Sequence, residues 1–283
     1  MKDKNVVTIQ DISCFGKCSI TVALPTISAM GLSCAVIPTA VLSTHTGGFK
    51  DFTFRDLTDD IPLIADHWTK EGLAFDGIYT GYLGSRKQIG VIIEFIERFK
   101  GSGLVFVDPA MADHGKLYTG FDMDFVAAMR ELCGKADIIV PNLTEASMML
   151  GVEYRADGYD EKYIQDMLKS LCSFGCKKAL LTGVSFDKDH QGTMCYDSET
   201  GEFESYFAEN LPVQSHGTGD VFASSFFGSL MLGHKMKDAM KIAVDFTVAS
   251  IKATISDDGH WYGVKFEKCL PSRAESARNG IEF

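Results

Sequence analysis

His216-Gly217-Thr218-Gly219-Asp220 runs straight into the apolar Val221-Phe222-Ala223. Two glycines let the backbone turn tightly before a helix opens. The first-turn N–H groups then face outward at the positive end of the helix dipole. Gly217, Thr218 and Gly219 thus read as an anion hole suited to a transferring phosphoryl group. Asp220 stands at its lip, where a carboxylate can take a proton from an attacking hydroxyl. The same residues also suit a plain loop with an acidic helix start.

Asp108 and Asp113 lie five residues apart in Val107-Asp108-Pro109-Ala110-Met111-Ala112-Asp113, just past an apolar run. Two such carboxylates can hold Mg²⁺ through water or polarise a polyphosphate. They also suit a cap and a turn. Asn142 and Glu145 in Pro141-Asn142-Leu143-Thr144-Glu145 share one face of a helical turn. That pair fits Mg²⁺-bound water, and equally a capping box. Thr182-Gly183 offers a hydroxyl and a permissive backbone for phosphate. Ser13, the Ser43-Thr44-His45-Thr46-Gly47-Gly48 stretch and Thr80-Gly81-Tyr82 bring small polar or aromatic groups to strand ends. They suit a flat polar ring, or ordinary turns and caps.

The periodicity that must position these groups alternates short β-rich runs with longer amphipathic ones. Strands are expected at Val6–Gln10, Cys34–Pro38, Gly77–Thr80, Leu104–Val107, Ile138–Val140 and Ala179–Thr182. Thr193–Tyr196 and Phe203–Phe207 flank Ser198-Glu199-Thr200-Gly201 as a hairpin. Helices are expected over 18–30, 57–69, 88–99, 121–133, 143–150, 159–171, 219–232 and 236–253, with Pro25 kinking the first or confined to its edge. A polar tail follows from Ser256. The alternation predicts one α/β domain, residues 1–283, with a mostly parallel central sheet covered on both faces, a three-layer α/β/α arrangement. Ligands in such sheets sit beyond the carboxyl ends of the strands.

The net charge of −11, with no basic stripe, argues against nucleic acid. No window reaches 18 apolar residues and the first ten lack a signal-like run, so no membrane span and a cytoplasmic location are expected. Eight cysteines without paired metal-ligand spacing read as reduced, mostly buried thiols. Walker A, the dinucleotide-binding glycine fingerprint and the protein-kinase motif set are absent.

In their order, Ser13, His45-Thr46-Gly47, Thr80-Gly81-Tyr82, Asp108 to Asp113, Pro141 to Glu145 and Gly217-Thr218-Gly219-Asp220 resemble the ribokinase-like superfamily, and within it the pyridoxal kinase branch. The likeness runs from about Val6 to Ala253. It implies phosphorylation of the hydroxymethyl group of a vitamin B6 vitamer by ATP, with Asp220 as base and Gly217, Thr218 and Gly219 as anion hole. It further implies that Asp108, Asp113, Asn142 and Glu145 organise Mg²⁺ and phosphates, with Asp113 and Glu145 nearest the metal, partly through water. Thr182 would touch ATP phosphate, and Tyr118 would close over ATP. Ser13, His45, Thr46 and Tyr82 would hold the pyridine ring. A monovalent cation such as K⁺ and a homodimer are also implied. The other readings are a hydroxymethylpyrimidine kinase of the same fold, which usually presents Gln near the place of His45, a sugar or nucleoside kinase, and a catalytically silent vitamer-binding protein.

Overall fold

The computed structural model describes residues 4–211, 215–257 and 259–270. In chain order the elements are β1 (Asn5–Ser13), α1 (Ile20–Ala29), β2 (Ser33–Leu42), β3 (Phe54–Asp56), α2 (Asp60–Lys70), β4 (Gly77–Thr80) and α3 (Arg86–Phe99). Then come β5 (Leu104–Val107), β6 (Ala112–Asp113), β7 (Lys116–Leu117), α4 (Met123–Cys133), β8 (Ile138–Ile139), α5 (Leu143–Leu150) and α6 (Glu161–Cys172). β9 (Lys178–Val184), β10 (His190–Asp197), β11 (Phe203–Glu209), α7 (Thr218–Met231) and α8 (Met236–Lys252) complete the main body, and a short 3-10 turn, Phe266–Lys268, follows.

Nine strands form one sheet in the order β11-β10-β9-β8-β5-β4-β1-β2-β3. The six central strands run parallel, while β3, β10 and β11 are antiparallel at the edges. Strand side chains alternate between faces, and the core divides accordingly. Val7, Ile9, Ile78, Val105, Val107, Ile139 and Leu181 pack beneath α2 to α6. Val6, Tyr79, Phe106, Ile138 and Leu180 pack against α1, α7 and α8. Apolar residues on both faces of each central strand require two helical layers, so the three-layer arrangement follows directly from the strand sequences.

Several boundaries move for local reasons. α4 begins after Asp122, whose Oδ1 accepts the Phe125 N–H at 2.8 Å, and α6 after Asp160, which caps Tyr163 in the same way at 2.8 Å. Phe121 and Tyr159 therefore stand before their helices and stack on Phe125 and Tyr163 from outside. β2 continues past Pro38 because the β1–β2 register shifts between Gln10 and Ile12. An irregularity is where a sheet tolerates a proline. α1 likewise accommodates Pro25 within its length. The edge strand β3 and the small hairpin β6–β7 were not anticipated.

Of the eight cysteines, only Cys133, Cys176 and Cys195 are buried. Cys14 is exposed and the other four are half-buried, which corrects the expectation of mostly buried thiols. No helix among the described residues is long and apolar enough to cross a membrane. Of the expected polar tail, residues 271–283 lie outside the described residues.

Candidate active site

The anion-hole reading has a definite backbone basis. Gly217 caps α7 with φ 77°, and a Cβ there would lie 1.8 Å from the Lys17 carbonyl oxygen. Only glycine takes both the left-handed turn and that approach without strain. α7 then starts at Thr218, so the N–H groups of Thr218, Gly219 and Asp220 belong to its open first turn. Thr218 Oγ1 donates to the Ser215 carbonyl at 3.3 Å, which steadies the entry.

Asp220 lies in that first turn. Burial pushes its carboxyl up to about 7, with the charge of Asp11 adding to the rise and a backbone hydrogen bond from Ser19 opposing it. A base with proton affinity near neutrality suits proton transfer. A carboxylate serving as base acts in its ionised form, so, with Asp220 in that role, kcat/KM is expected to rise with pH through about 7 and level above it. A flat profile from pH 5.5 to 8.5 would remove Asp220 as the titrating base.

Asp11 joins this candidate site, although no motif marks it. It is buried at the end of β1, and burial raises its proton affinity. Ser13 Oγ donates to its Oδ2 at 2.8 Å, and the Ser19 side chain also bonds to it. Ser19 itself is buried at φ 54° and ψ −132°, an uncommon region for a residue with a side chain. Its backbone serves Asp220 while its side chain serves Asp11, and such over-determined contacts can hold strained backbone. The only sequence signal was a carboxylate immediately after an apolar strand.

Asp108 follows β5, and burial together with the charge of Asp220 raises its carboxyl well above the usual range. Among the described residues its carboxyl takes no hydrogen bond. Glu145 is buried, and its proton affinity is also raised, chiefly by burial and then by Asp108. Its two oxygens have backbone partners: Oε1 accepts Met111 N–H at 3.1 Å and Oε2 accepts Asn142 N–H at 2.8 Å. Asn142 Oδ1 accepts Glu145 N–H at 2.9 Å, completing a capping box, and Asn142 Nδ2 donates to the Ala112 carbonyl at 2.8 Å. The pair therefore fixes the strand-end loop whatever else it does. Glu145→Ala is expected to cost roughly 2–4 kcal/mol, because two backbone amides lose their acceptor. A urea midpoint equal to wild type would contradict this.

Thr182 sits beside this box, bridging to Asn142 in parallel pairing, with its N–H on the Pro141 carbonyl at 3.1 Å. The exposed Asp113 bonds to the neighbouring His114 N–H at 2.8 Å. It belongs to the rim, whereas Asp108 is half-buried and Glu145 buried. The half-buried Tyr118 is pushed upward by burial and then by Glu145, Asp113, Asp108 and Asp220. Among the described residues no three carboxylate, thiol or imidazole groups converge on one metal position, so a divalent cation between Asp108 and Glu145 would be held largely through water and phosphate oxygens.

The candidates for the acceptor side divide: Thr46 and Tyr82 line one cavity, and Ser13 and His45 do not. Ser13 is buried, Tyr82 half-buried and Thr46 exposed. Burial and then Asp11 push Tyr82 up to about 12. Tyr82 stacks on Phe121 at 5.7 Å, and both line an open cavity of about 530 Å³ with Thr46 and Phe49. Asp220 does not line that cavity. His45 is buried, and burial lowers its proton affinity. Its Nδ1 accepts Gly47 N–H at 3.1 Å and its Nε2 pairs with the Tyr262 carbonyl at 3.0 Å, an arrangement that suits the neutral ring protonated on Nε2. His45 also packs 5.2 Å from His216, next to the anion hole.

A protein of Bacteroides thetaiotaomicron assigned as a phosphomethylpyrimidine kinase, solved with pyridoxal, superposes with a TM-score of 0.91 at 38 % identity, covering 96 % of each chain. The pyridoxal kinase of Lactobacillus plantarum superposes with a TM-score of 0.89 at 32 % identity over 99 % of each chain. A thiamine biosynthetic bifunctional enzyme of rice is 26 % identical over 87 % of this chain, which spans 44 % of that enzyme's length. The model of the phosphomethylpyrimidine kinase family matches residues 14–264, nearly the whole described chain, anion hole and Asp220 included. The chain belongs to the phosphomethylpyrimidine kinase family and carries the ribokinase-like α/β fold.

Proposed function

We propose that this chain transfers the γ-phosphoryl group of ATP to the hydroxymethyl group of a vitamin B6 vitamer, giving its 5′-phosphate. One observation carries the chemistry: a carboxylate with proton affinity near neutrality stands in the first turn of a helix whose N–H groups are open. The full-length likeness to the Lactobacillus plantarum pyridoxal kinase and to the pyridoxal-bound Bacteroides protein supports the ring.

Phosphoryl transfer needs positioning and charge neutralisation more than covalent chemistry. Asp220 accepts the hydroxyl proton as that oxygen attacks the γ-phosphorus and the bond to the leaving ADP oxygen breaks. The amides of Thr218 and Gly219 take up charge spreading onto the transferring group. Ser13, held by Asp11, with His45, Thr46 and Tyr82 orients the ring. Thr182 and Asn142 face the phosphates, and Tyr118 covers the nucleotide. Asp108 and Glu145, with Asp113 at the rim, would hold Mg²⁺ partly through water, and the ion would neutralise polyphosphate charge. A monovalent cation near the nucleotide, a homodimer, a single catalytic domain and a cytoplasmic location complete the reading.

Hydroxymethylpyrimidine is the second acceptor, supported by the family match itself. ADP release with Mg-ATP and pyridoxal, pyridoxamine, pyridoxine, hydroxymethylpyrimidine or ribose separates the two. The proposal expects a B6 vitamer to lead by ten-fold or more in kcat/KM, about 1.4 kcal/mol of discrimination. A lead for the pyrimidine would overturn the ring while keeping the chemistry.

A further inference from the structure

The segment 259–270 after α8 meets both acceptor-side loops at once. The Tyr262 carbonyl accepts Lys17 N–H at 3.1 Å, in the loop after β1, and pairs with His45 Nε2 at 3.0 Å, in the loop after β2. Lys17 is also ion-paired with Glu267. The Lys17 carbonyl is the atom packed under Gly217. One short segment thus ties the anion hole, the loop after β1 and the His45 loop together.

Its aromatic rings continue the contact. Trp261 packs on Phe49 at 4.5 Å, Phe49 on His45 at 4.9 Å, and Tyr262 on Phe15 at 4.8 Å. A Cβ on Gly48 would come within 2.9 Å of the Trp261 ring, so the backbone there packs closely against the indole. Phe49 in turn lines the open cavity with Thr46 and Tyr82. Trp261 keeps 49 % of its surface exposed despite these neighbours. The ring therefore serves as backing for the cavity wall rather than as a core residue.

We propose that Phe49, backed by Trp261, is the apolar wall against which the acceptor's flat ring packs, and that segment 259–267 is an acceptor-side clamp. Aromatic faces pair by offset or edge contacts with other flat rings, so this wall favours a heteroaromatic alcohol over a sugar. The inference rests on the proposed function, because it presumes a ring-bearing acceptor.

The test measures KM for the acceptor and for ATP separately in Trp261→Ala, Trp261→Phe and Phe49→Ala, each checked for wild-type melting temperature. The expected result is a rise of ten-fold or more in acceptor KM in both alanine variants, with KM for ATP within two-fold and recovery in Trp261→Phe. A general loss of folding would move both KM values and the melting temperature together, and would overturn the clamp as a specific device. Wild-type acceptor KM in the alanine variants would also overturn it while leaving the kinase reading intact. A wild-type protein that turns over ribose but no heteroaromatic alcohol would overturn both.

Discussion

Asp220→Asn is expected to lower kcat by about 10²–10⁴-fold with ATP and acceptor saturating, the range for a positioned acid or base. The same substitution is expected to stabilise the fold. Asp220 has a folded proton affinity raised to about 7 from 3.8. The folded chain therefore binds the proton more tightly than the unfolded one. Its contribution to stability is full below about pH 4 and is lost as pH rises through about 7. Above that pH the folded state must hold a half-buried, poorly solvated charge that Asn lacks. The Asn variant should melt higher than wild type at pH 8, with the gap narrowing at pH 5. Loss of activity with gain of stability marks a residue kept for chemistry. Near-wild-type kcat, or a melting gap that does not change with pH, would contradict this assignment.

Gly217→Ala is the second large effect. Its φ of 77° already disfavours a side chain, and the added Cβ would collide with the Lys17 carbonyl. That oxygen belongs to backbone tied down by Tyr262 and cannot yield cheaply. The turn must shift, and the amides of Thr218 and Gly219 shift with it. Loss of one preorganised donor costs about 10²–10³-fold in kcat, so a fall of about 10²-fold or more is expected. Circular dichroism should stay unchanged, because Gly217 lies outside α7, which begins at Thr218. Unchanged kcat would mean that these amides do not face the transferring phosphoryl group.

The phosphate side of the site was readable in sequence because each part is local. Gly217 to Asp220 is a turn entering a helix, and Asn142 with Glu145 is a capping box with three-residue spacing. The sheet was readable because every central strand is apolar on both faces. The acceptor side was only partly readable because long-range contacts build it. Asp11 acquires its role from Ser13 and Ser19 folding over it. Segment 259–270 reaches Lys17 and His45 across more than 200 residues. No spacing rule reports such pairs. Edge strand β3 was missed because all three of its residues are exposed and carry no inside-outside pattern.

The central claim is that a phosphoryl group moves from ATP to the hydroxymethyl oxygen of a flat heteroaromatic alcohol. Product identification by mass spectrometry and ³¹P NMR tests it directly, with pyridoxal and Mg-ATP at pH 8. The account predicts one phosphomonoester on the hydroxymethyl oxygen for each ADP formed, and almost none from Asp220→Asn. ADP formed with inorganic phosphate and unmodified pyridoxal, or equal yields from the Asn variant, would contradict it.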